Sequence, residues 1–256
     1  MSGFNQFSML FWRGFKQAVR PYPAMIPEFV LPVFFFIVYS AGFSAVARLE
    51  DFGFDSYQQF YTPVALLTAI FVSSGSTGLE VVTDISTGFM DRLFVAPVNR
   101  WYIVFAKIAA IGLKATLMTA LMITLFVLMG AQYHGGLIGI AVVLLYAFIF
   151  SMGWAGIGLS LAFSTKNPRV VQSAFVLFFP FSFVTTSQMP LSQLPAWYAT
   201  AVQFNPVTYV LEGIRAALIE NRFYPEALIG FGVALAFAIV TLSIATMAYR
   251  RSIVKK

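Results

Sequence analysis

Residues 136–163 read GLIGIAVVLLYAFIFSMGWAGIGLSLAF, an unbroken apolar run without a single charged side chain. It is longer than the ~20 residues that carry an α-helix across a bilayer core. It is also apolar on every face, whereas a strand of a membrane β-barrel alternates polar and apolar residues over about ten positions. Working outward, similar runs lie at about 25–47, 60–79, 103–129, 170–188 and 227–249. Hydrophobic residues make up 59% of the 256 and charged residues 10%, against roughly 25% charged in soluble domains. The sequence therefore predicts an all-α polytopic membrane protein, one transmembrane domain over residues 1–256 that crosses six times. The absence of cysteine excludes disulfides, thiolate metal ligation and cysteine nucleophiles.

The basic residues orient these runs. Six crossings put both termini on one side, and taking that side as cytoplasmic gathers Arg13, Lys16, Arg20, Arg92, Arg100, Lys107, Lys166, Arg169, Arg250, Arg251, Lys255 and Lys256 there. Only Arg48, Arg215 and Arg222 fall outside, and Lys114 lies within the third run. The asymmetry obeys the positive-inside rule and predicts a multi-pass protein of the inner or plasma membrane with both termini cytoplasmic. The first apolar run follows a basic, aromatic segment and is long enough to span, so no cleavable signal peptide is expected.

That N-terminal segment, residues 1–22, has helical periodicity. Phe4, Phe7, Phe11, Phe15 and Ala18 share one face, with Gln6, Arg13, Lys16, Gln17 and Arg20 opposite. The pattern predicts an amphipathic helix lying in the inner headgroup layer. Pro21, Pro23 and Pro27 are expected to break it before the first span.

No catalytic constellation is present. The single histidine, His134, lies in a short loop beside Gly135 and Gly136 without a carboxylate nearby in sequence. A phosphate-cradling loop needs GxxxxGK[ST], and the glycines at 153–160 have no lysine in that order. They read instead as a helix-packing face, as do the small residues 73–78. Lys114 lies seven residues past Lys107, about 10 Å deeper on nearly the same helical face. Either it snorkels to the interface as an anchor or it partners an acid or a substrate group inside the bundle. Glu28, near the start of the first span, is expected at the inner interface.

Between the second and third spans, residues 80–100 read EVVTDISTGFMDRLFVAPVNR, charged and punctuated by turn residues. A short helix over 83–98 is expected, with Asp84 and Asp91 on one face, Ile85, Phe89 and Leu93 forming an apolar strip beside Arg92, and Pro97 ending it. Such an exposed amphipathic helix is suited to docking a soluble partner.

The motif carried by Asp84, Gly88, Phe89, Met90, Asp91, Arg92, Leu93, Ala96, Pro97 and Val98 resembles the signature between spans two and three of permease subunits of type-2 ABC exporters. It is most similar to the daunorubicin-resistance-like antibiotic and multidrug exporters. A second match is carried by Ser187, Gln188, Met189, Pro190, Leu191, Leu194 and Pro195, then Asn205, Pro206, Val207, Tyr209 and Arg215. Gln188 departs from the family pattern, which commonly has glycine there. The resemblance implies a half-transporter. Two permeases, identical or paralogous, pair above separate cytosolic P-loop ATPase subunits, which bind the ATP and Mg²⁺; this chain itself carries no cofactor and no catalytic site. It implies that the segment around Gly88, with Asp84, Phe89, Asp91, Arg92, Leu93 and Pro97, is the coupling helix. It also implies that residues 189–222 form short re-entrant helices entering from outside.

The residues of that outer segment agree with such helices. Asn205 and Pro206 suit an N-cap and first helical position. Val210, Ile214, Ala217 and Leu218 then recur at helical spacing, with Glu212 and Arg215 on another face. Lys114, Met189, Pro190, Asn205, Pro206 and Tyr209 are the candidate substrate path or gate. The expected function is export of an amphipathic drug-like or lipid-like molecule, with membrane lipid as surroundings and no nucleic-acid partner. Polysaccharide or lipid-linked glycan export, and a non-transport scaffold or immunity protein, are the alternatives.

Overall fold

The computed structural model describes residues 3–20, 22–49, 52–96, 98–220 and 225–254. The expectations resting on Pro21, Pro97, Arg222, Lys255 and Lys256 lie outside them. Every regular element among the described residues is helical. The chain opens with α1 (Gly3–Val19), which packs on the membrane bundle through Gly14 and Ala18. A Cβ at Gly14 would lie 3.4 Å from that of Ala110. Its phenylalanine face forms a stack, Phe7 on Phe11 and Phe11 on Phe15, and Phe7 meets Tyr102 edge-on.

Helix α2 (Tyr22–Gly42) begins earlier than expected and carries Pro27 and Pro32 within it. Pro27 therefore does not separate the N-terminal helix from the first span. In a membrane bundle the freed carbonyls can be satisfied by neighbours and local adjustment, so proline inside a spanning helix is tolerated. The span ends at Gly42 rather than 47, and Ser44–Arg48 form a 3₁₀ turn. Helix α3 (Tyr57–Gly75) starts at Ser56, whose hydroxyl accepts from the Gln59 amide at 3.1 Å. It is buried along nearly its whole length and is the central pillar of the bundle. Helix α4 (Thr77–Ser86) prolongs it past Ser76, so the second apolar helix runs to Ser86 rather than 79.

The 83–98 segment is not one helix. Gly88, at φ +69°, breaks it, and a separate α5 (Phe89–Val95) follows. Asp84 and Asp91 thus stand on different helices, and their seven-residue spacing has no common face. Val95 is the last helical residue and Ala96 is extended, as a residue before proline tends to be.

Helix α6 (Arg100–Leu128) is capped by Asn99, whose side chain accepts from the Trp101 amide at 3.0 Å. Helix α7 (Gly136–Thr165) returns antiparallel to it. The expected span 170–188 is instead three short pieces: α8 (Pro168–Ser173), a 3₁₀ turn Ala174–Leu177, and α9 (Phe178–Phe183). Proline at 180 and the phenylalanine-crowded sequence 175–183 disfavour one long helix there. The outer segment holds a turn at Leu191–Gln193, α10 (Ala196–Gln203), α11 (Pro206–Arg215) and a π-helical turn Ala216–Glu220. Last comes α12 (Glu226–Val254). Among the described residues five helices are long and apolar enough to cross a membrane, within Met25–Gly42, Tyr57–Ser86, Trp101–Leu128, Gly136–Thr165 and Glu226–Ser252.

Small residues let these helices approach. Gly156 faces Thr241 of α12, and Gly78 of α4 meets Gly158 of α7 so closely that a Cβ at Gly78 would lie 2.6 Å from the Gly158 carbonyl oxygen. Close backbone approach of this kind replaces the hydrophobic driving force that lipid removes. Above it, Phe71 is enclosed edge-on by Phe150, Trp154 and Phe178.

Gly78→Ala is therefore expected to cost about 1–3 kcal/mol by overpacking against backbone, read as a lowered unfolding midpoint in detergent. Gly232→Ala, where an added Cβ meets nothing within 4 Å, should leave the midpoint unchanged.

Candidate functional site

At the end of the bundle where α6 begins, three helices contribute one polar residue pair each at i,i+4 or i,i+7 spacing. Glu80 and Asp84 share a face of α4, Arg13 and Gln17 a face of α1, and Lys107 and Lys114 a face of α6. Arg13 donates to both carboxylate oxygens of Asp84, at 2.7 and 3.4 Å. The Gln17 amide adds a third donor at 3.2 Å, and its oxygen accepts from Lys107 at 3.0 Å. Lys107 also donates to Glu80 at 2.5 Å, and Ser76 donates to Glu80 at 3.2 Å. Asp84 and Lys107 are 6% and 7% exposed, so neither charge is solvated. Higher on α6, Lys114 donates to Glu28 of α2 at 2.7 Å, and the pair is buried.

Two sequence expectations change here. The polar side chains Arg13 and Gln17 turn into the protein, because the buried Asp84 carboxylate and Lys107 ammonium need partners more than lipid headgroups do. Lys114 is not an interfacial anchor but the partner of an intramembrane acid, and Glu28 is buried rather than interfacial. The partners were missed because single-sequence spacing shows which side chains share a face, not which helix lies opposite.

The ladder ends on the elbow at Gly88. The Arg13 guanidinium lies 3.3 Å above the Phe89 ring centroid, a cation–π contact at a half-buried site. Phe89 and Leu93 line a small enclosed cavity with Asp84, Met90 and Lys107. The apolar strip expected to face a partner therefore packs inward. Asp91, Arg92 and Val95 are exposed instead, Val95 at 87%. Arg92 reaches back to the Gly88 carbonyl at 3.4 Å and the Thr87 carbonyl at 3.5 Å.

The outer candidates gather elsewhere. Met129, at the far end of α6, accepts from Gln58 of α3 at 3.2 Å. Lys114 lies fifteen residues before it, roughly 22 Å along the helix. Asn205 caps α11 by accepting from the Val207 amide at 3.0 Å, and its amide donates to the Phe181 and Val184 carbonyls at 3.0 and 2.6 Å. Pro206 takes the first helical position. Both residues line an apolar groove with Phe181, Val184 and Phe204. Tyr209 donates to the Gln203 carbonyl at 2.9 Å. Pro190 precedes the Leu191–Gln193 turn, Met189 beside it is half-buried, and the Gln188 carbonyl accepts from Tyr57 at 2.9 Å. Tyr198 donates to the Phe183 carbonyl at 2.6 Å, and burial raises its pKa, keeping it a donor.

Arg215, counted among the outer charges, is 2% exposed. It pairs with Glu212 at 2.5 Å, donates to the Thr186 carbonyl at 3.2 Å and lies 4.2 Å over the Phe60 ring. Thr186 in turn donates to Glu212. Sequence position alone gave no sign of this burial. Among the described residues no group of three or more His, Cys, Asp or Glu could hold a metal ion.

Removing one partner of a buried ion pair leaves the other charge uncompensated. Lys114→Met is expected to lower stability by about 3–5 kcal/mol, and adding Glu28→Gln should return most of it, measured by denaturation in detergent. Equal loss in the single and double variants would refute the pairing.

Residues 5–219 match the ABC-2 type transporter family. The ycf38 transport permease of Cyanophora paradoxa is 28% identical over 209 residues, covering 79% of this chain and 70% of that protein. The daunorubicin resistance ABC transporter permease protein DrrB1 of Streptomyces coeruleorubidus is 25% identical over 207 residues, covering 80% and 71%. The doxorubicin resistance permease DrrC of Mycobacterium tuberculosis is 25% identical over 196 residues, covering 77% and 70%. Permeases of this family work with a partner ATP-binding subunit. A multi-pass helical chain whose match runs from α1 through the elbow to the outer helices belongs to the ABC-2 type transporter family, as a membrane permease subunit of an ABC transporter.

Proposed function

We propose that this permease drives export of an amphipathic drug-like or lipid-like molecule, using ATP bound with Mg²⁺ and hydrolysed by a separate cytosolic P-loop ATPase that docks on the Gly88 elbow. The observation that carries this reading is the latch of Arg13 on Asp84 and Phe89. A push on α5 passes through Phe89 to Arg13, hence to α1, and through Asp84 and Lys107 to α4 and α6. The docking face is the exposed one, Asp91, Arg92 and Val95, while Asp84, Gly88, Phe89 and Leu93 transmit the motion. Pro97 follows α5 in sequence. Two permease subunits, identical or paralogous, complete the pathway in the plasma membrane.

Six crossings with both termini cytoplasmic fit the contacts at the two ends. Phe7 of α1 touches Tyr102, and Arg250 of α12 lies 4.7 Å over the neighbouring Trp101. The first and last helices thus share an end, which supports an even number of crossings. Lys166 lines a groove with Arg251 at that end, and the Gln188 carbonyl meets Tyr57, at the opposite end of α3. The broken segment 168–188 accordingly makes the remaining crossing, and residues 189–222 form the re-entrant outer region. Met189, Pro190, Asn205, Pro206 and Tyr209 would gate the exit there, and Lys114 would stiffen the path. Outward transport of a drug-like substrate is supported by the resistance permeases among the relatives.

Purification of a tagged permease in mild detergent tests the reading. A stoichiometric P-loop ATPase should co-purify, and Val95→Asp should release it without changing permease pairing. Asp84→Asn should retain the ATPase but lower substrate-stimulated ATP hydrolysis several-fold. Recovery of the paired permease with no ATPase would favour a scaffold without a transport cycle, and full stimulation in Asp84→Asn would remove the latch from the mechanism.

A further inference from the structure

Where α7 and α12 end beside one another, an open groove of about 560 Å³ runs between them. Its rim carries Lys166 and Arg251, its wall Ile244 and Met247, and among the described residues no acidic one lines it. Both cations are exposed, and neither has a hydrogen-bonding or ion-pair partner among the described residues. Of the nearby hydroxyls, Thr165 donates to the Leu161 carbonyl at 2.8 Å and Ser252 to that of Tyr249 at 2.7 Å, while the exposed Ser164 also lines the groove. The two cations supply the charge that would hold an anion, with Ser164 as a neutral donor beside them.

We propose that this groove binds an anionic phospholipid, its phosphate between Lys166 and Arg251 and an acyl chain along α12. Three observations carry it. The apolar wall continues up one face of a membrane-spanning helix as Val240, Ile244 and Met247, which are 57%, 52% and 57% exposed. A free anion in water has no use for such a stripe, whereas an acyl chain has. The rim is purely cationic at the level where that helix leaves the apolar layer, the arrangement that selects anionic over zwitterionic headgroups. Lys166 also occupies the left-handed region, φ 53° and ψ 20°, the only non-glycine residue among those described with positive φ. Glycine is the unstrained choice at such a helix end. A lysine there keeps a strained backbone for the sake of its side chain. Attraction of each cation to the helix dipole explains a positive charge at each end, but not the apolar floor shared between them.

The strain supplies a clean variant, since Lys166→Gly removes the charge while easing the backbone. The full chain, delipidated in detergent, is titrated with phosphatidylglycerol, phosphatidylcholine or glycerol 1-phosphate and read by native mass spectrometry. Phosphatidylglycerol should bind in preference to phosphatidylcholine. Its affinity should fall about thirtyfold in Lys166→Gly/Arg251→Gln, the loss of two surface cations. Lys166→Arg should preserve binding, and Lys16→Gln, which removes one exposed charge on α1, should not affect it. Arg251→Gln alone gives an intermediate loss and stands in should the double variant not fold. Equal loss in Lys16→Gln would reduce the effect to general charge attraction and overturn the site. So would equal binding of phosphatidylcholine, or of glycerol 1-phosphate at the same concentration. Unchanged lipid binding with loss of a co-purifying protein would assign the groove to that protein instead.

Discussion

The carboxylate of Asp84 is nearly inaccessible to water at the boundary of an apolar bundle, and much of the surrounding arrangement answers its need for positive partners. An unpaired carboxylate there would cost several kcal/mol. Arg13 and Gln17 meet that need from α1, and doing so fixes the rotation of α1 about its axis. With Arg13 and Gln17 turned inward, the adjacent Gly14 and Ala18, on the side toward the phenylalanines, are buried as well, and Gly14 lies close against Ala110 and Lys107 of α6. The phenylalanines are left to stack along the flank. The same arginine covers Phe89, so the orientation of the N-terminal helix and of the elbow after Gly88 are set by one side chain.

This constraint divides the bundle into parts of different character. α1, α4 and α6 are cross-linked by charged groups with long reach, and α2 is joined to them through Glu28 and Lys114. α7 and α12 are instead held by small-residue contact, Gly153 and Gly156 against Ala238 and Thr241, by ring contacts such as Phe150 on Phe237 and by the Tyr146 hydroxyl donating to the Ala227 carbonyl, with no ion pair between them among the described residues. Packing contacts lose about a quarter to a half of their energy within an ångström of separation, whereas a salt bridge at a membrane boundary falls off gradually with distance. In the proposed coupling, a displacement entering at the elbow would therefore be passed along α1, α4 and α6 together.

Much of this was legible in the sequence and some was not, for identifiable reasons. The long helices follow from apolar run length, and Asn205 with Pro206 marked the start of α11 because capping is local chemistry. The glycines at 153–160 were readable as a packing face because nothing else explains small residues in lipid. The elbow was misread because a pattern that repeats every seven residues across Gly88 looks helical until a positive φ interrupts it. The broken segment 168–183 was misread because hydropathy counts apolar residues and ignores the bulk of adjacent phenylalanines and an internal proline. The ion pairs between helices were invisible because each joins elements remote in sequence, from 27 residues apart for Lys107 with Glu80 to 86 for Lys114 with Glu28. Arg215 was misplaced for a different reason. Positive-inside counting assigns a side of the membrane and carries no information on whether the charge reaches water.

Helix starts show how the chain manages backbone polarity where water is scarce. The first amides of a helix have no intrahelical acceptor, and in lipid each costs more than in water. Ser56, Asn99, Asn167 and Asn205 each place a side-chain oxygen on such an amide, and proline at 168 and 206 removes another donor. Asn205 goes further, because the far side of its amide satisfies two carbonyls at the end of α9. Aspartate would cap α11 equally well, yet it has no donor for those carbonyls. Asparagine at this position is thus required by the ends of two helices at once, and the junction it forms ties α11 to α9.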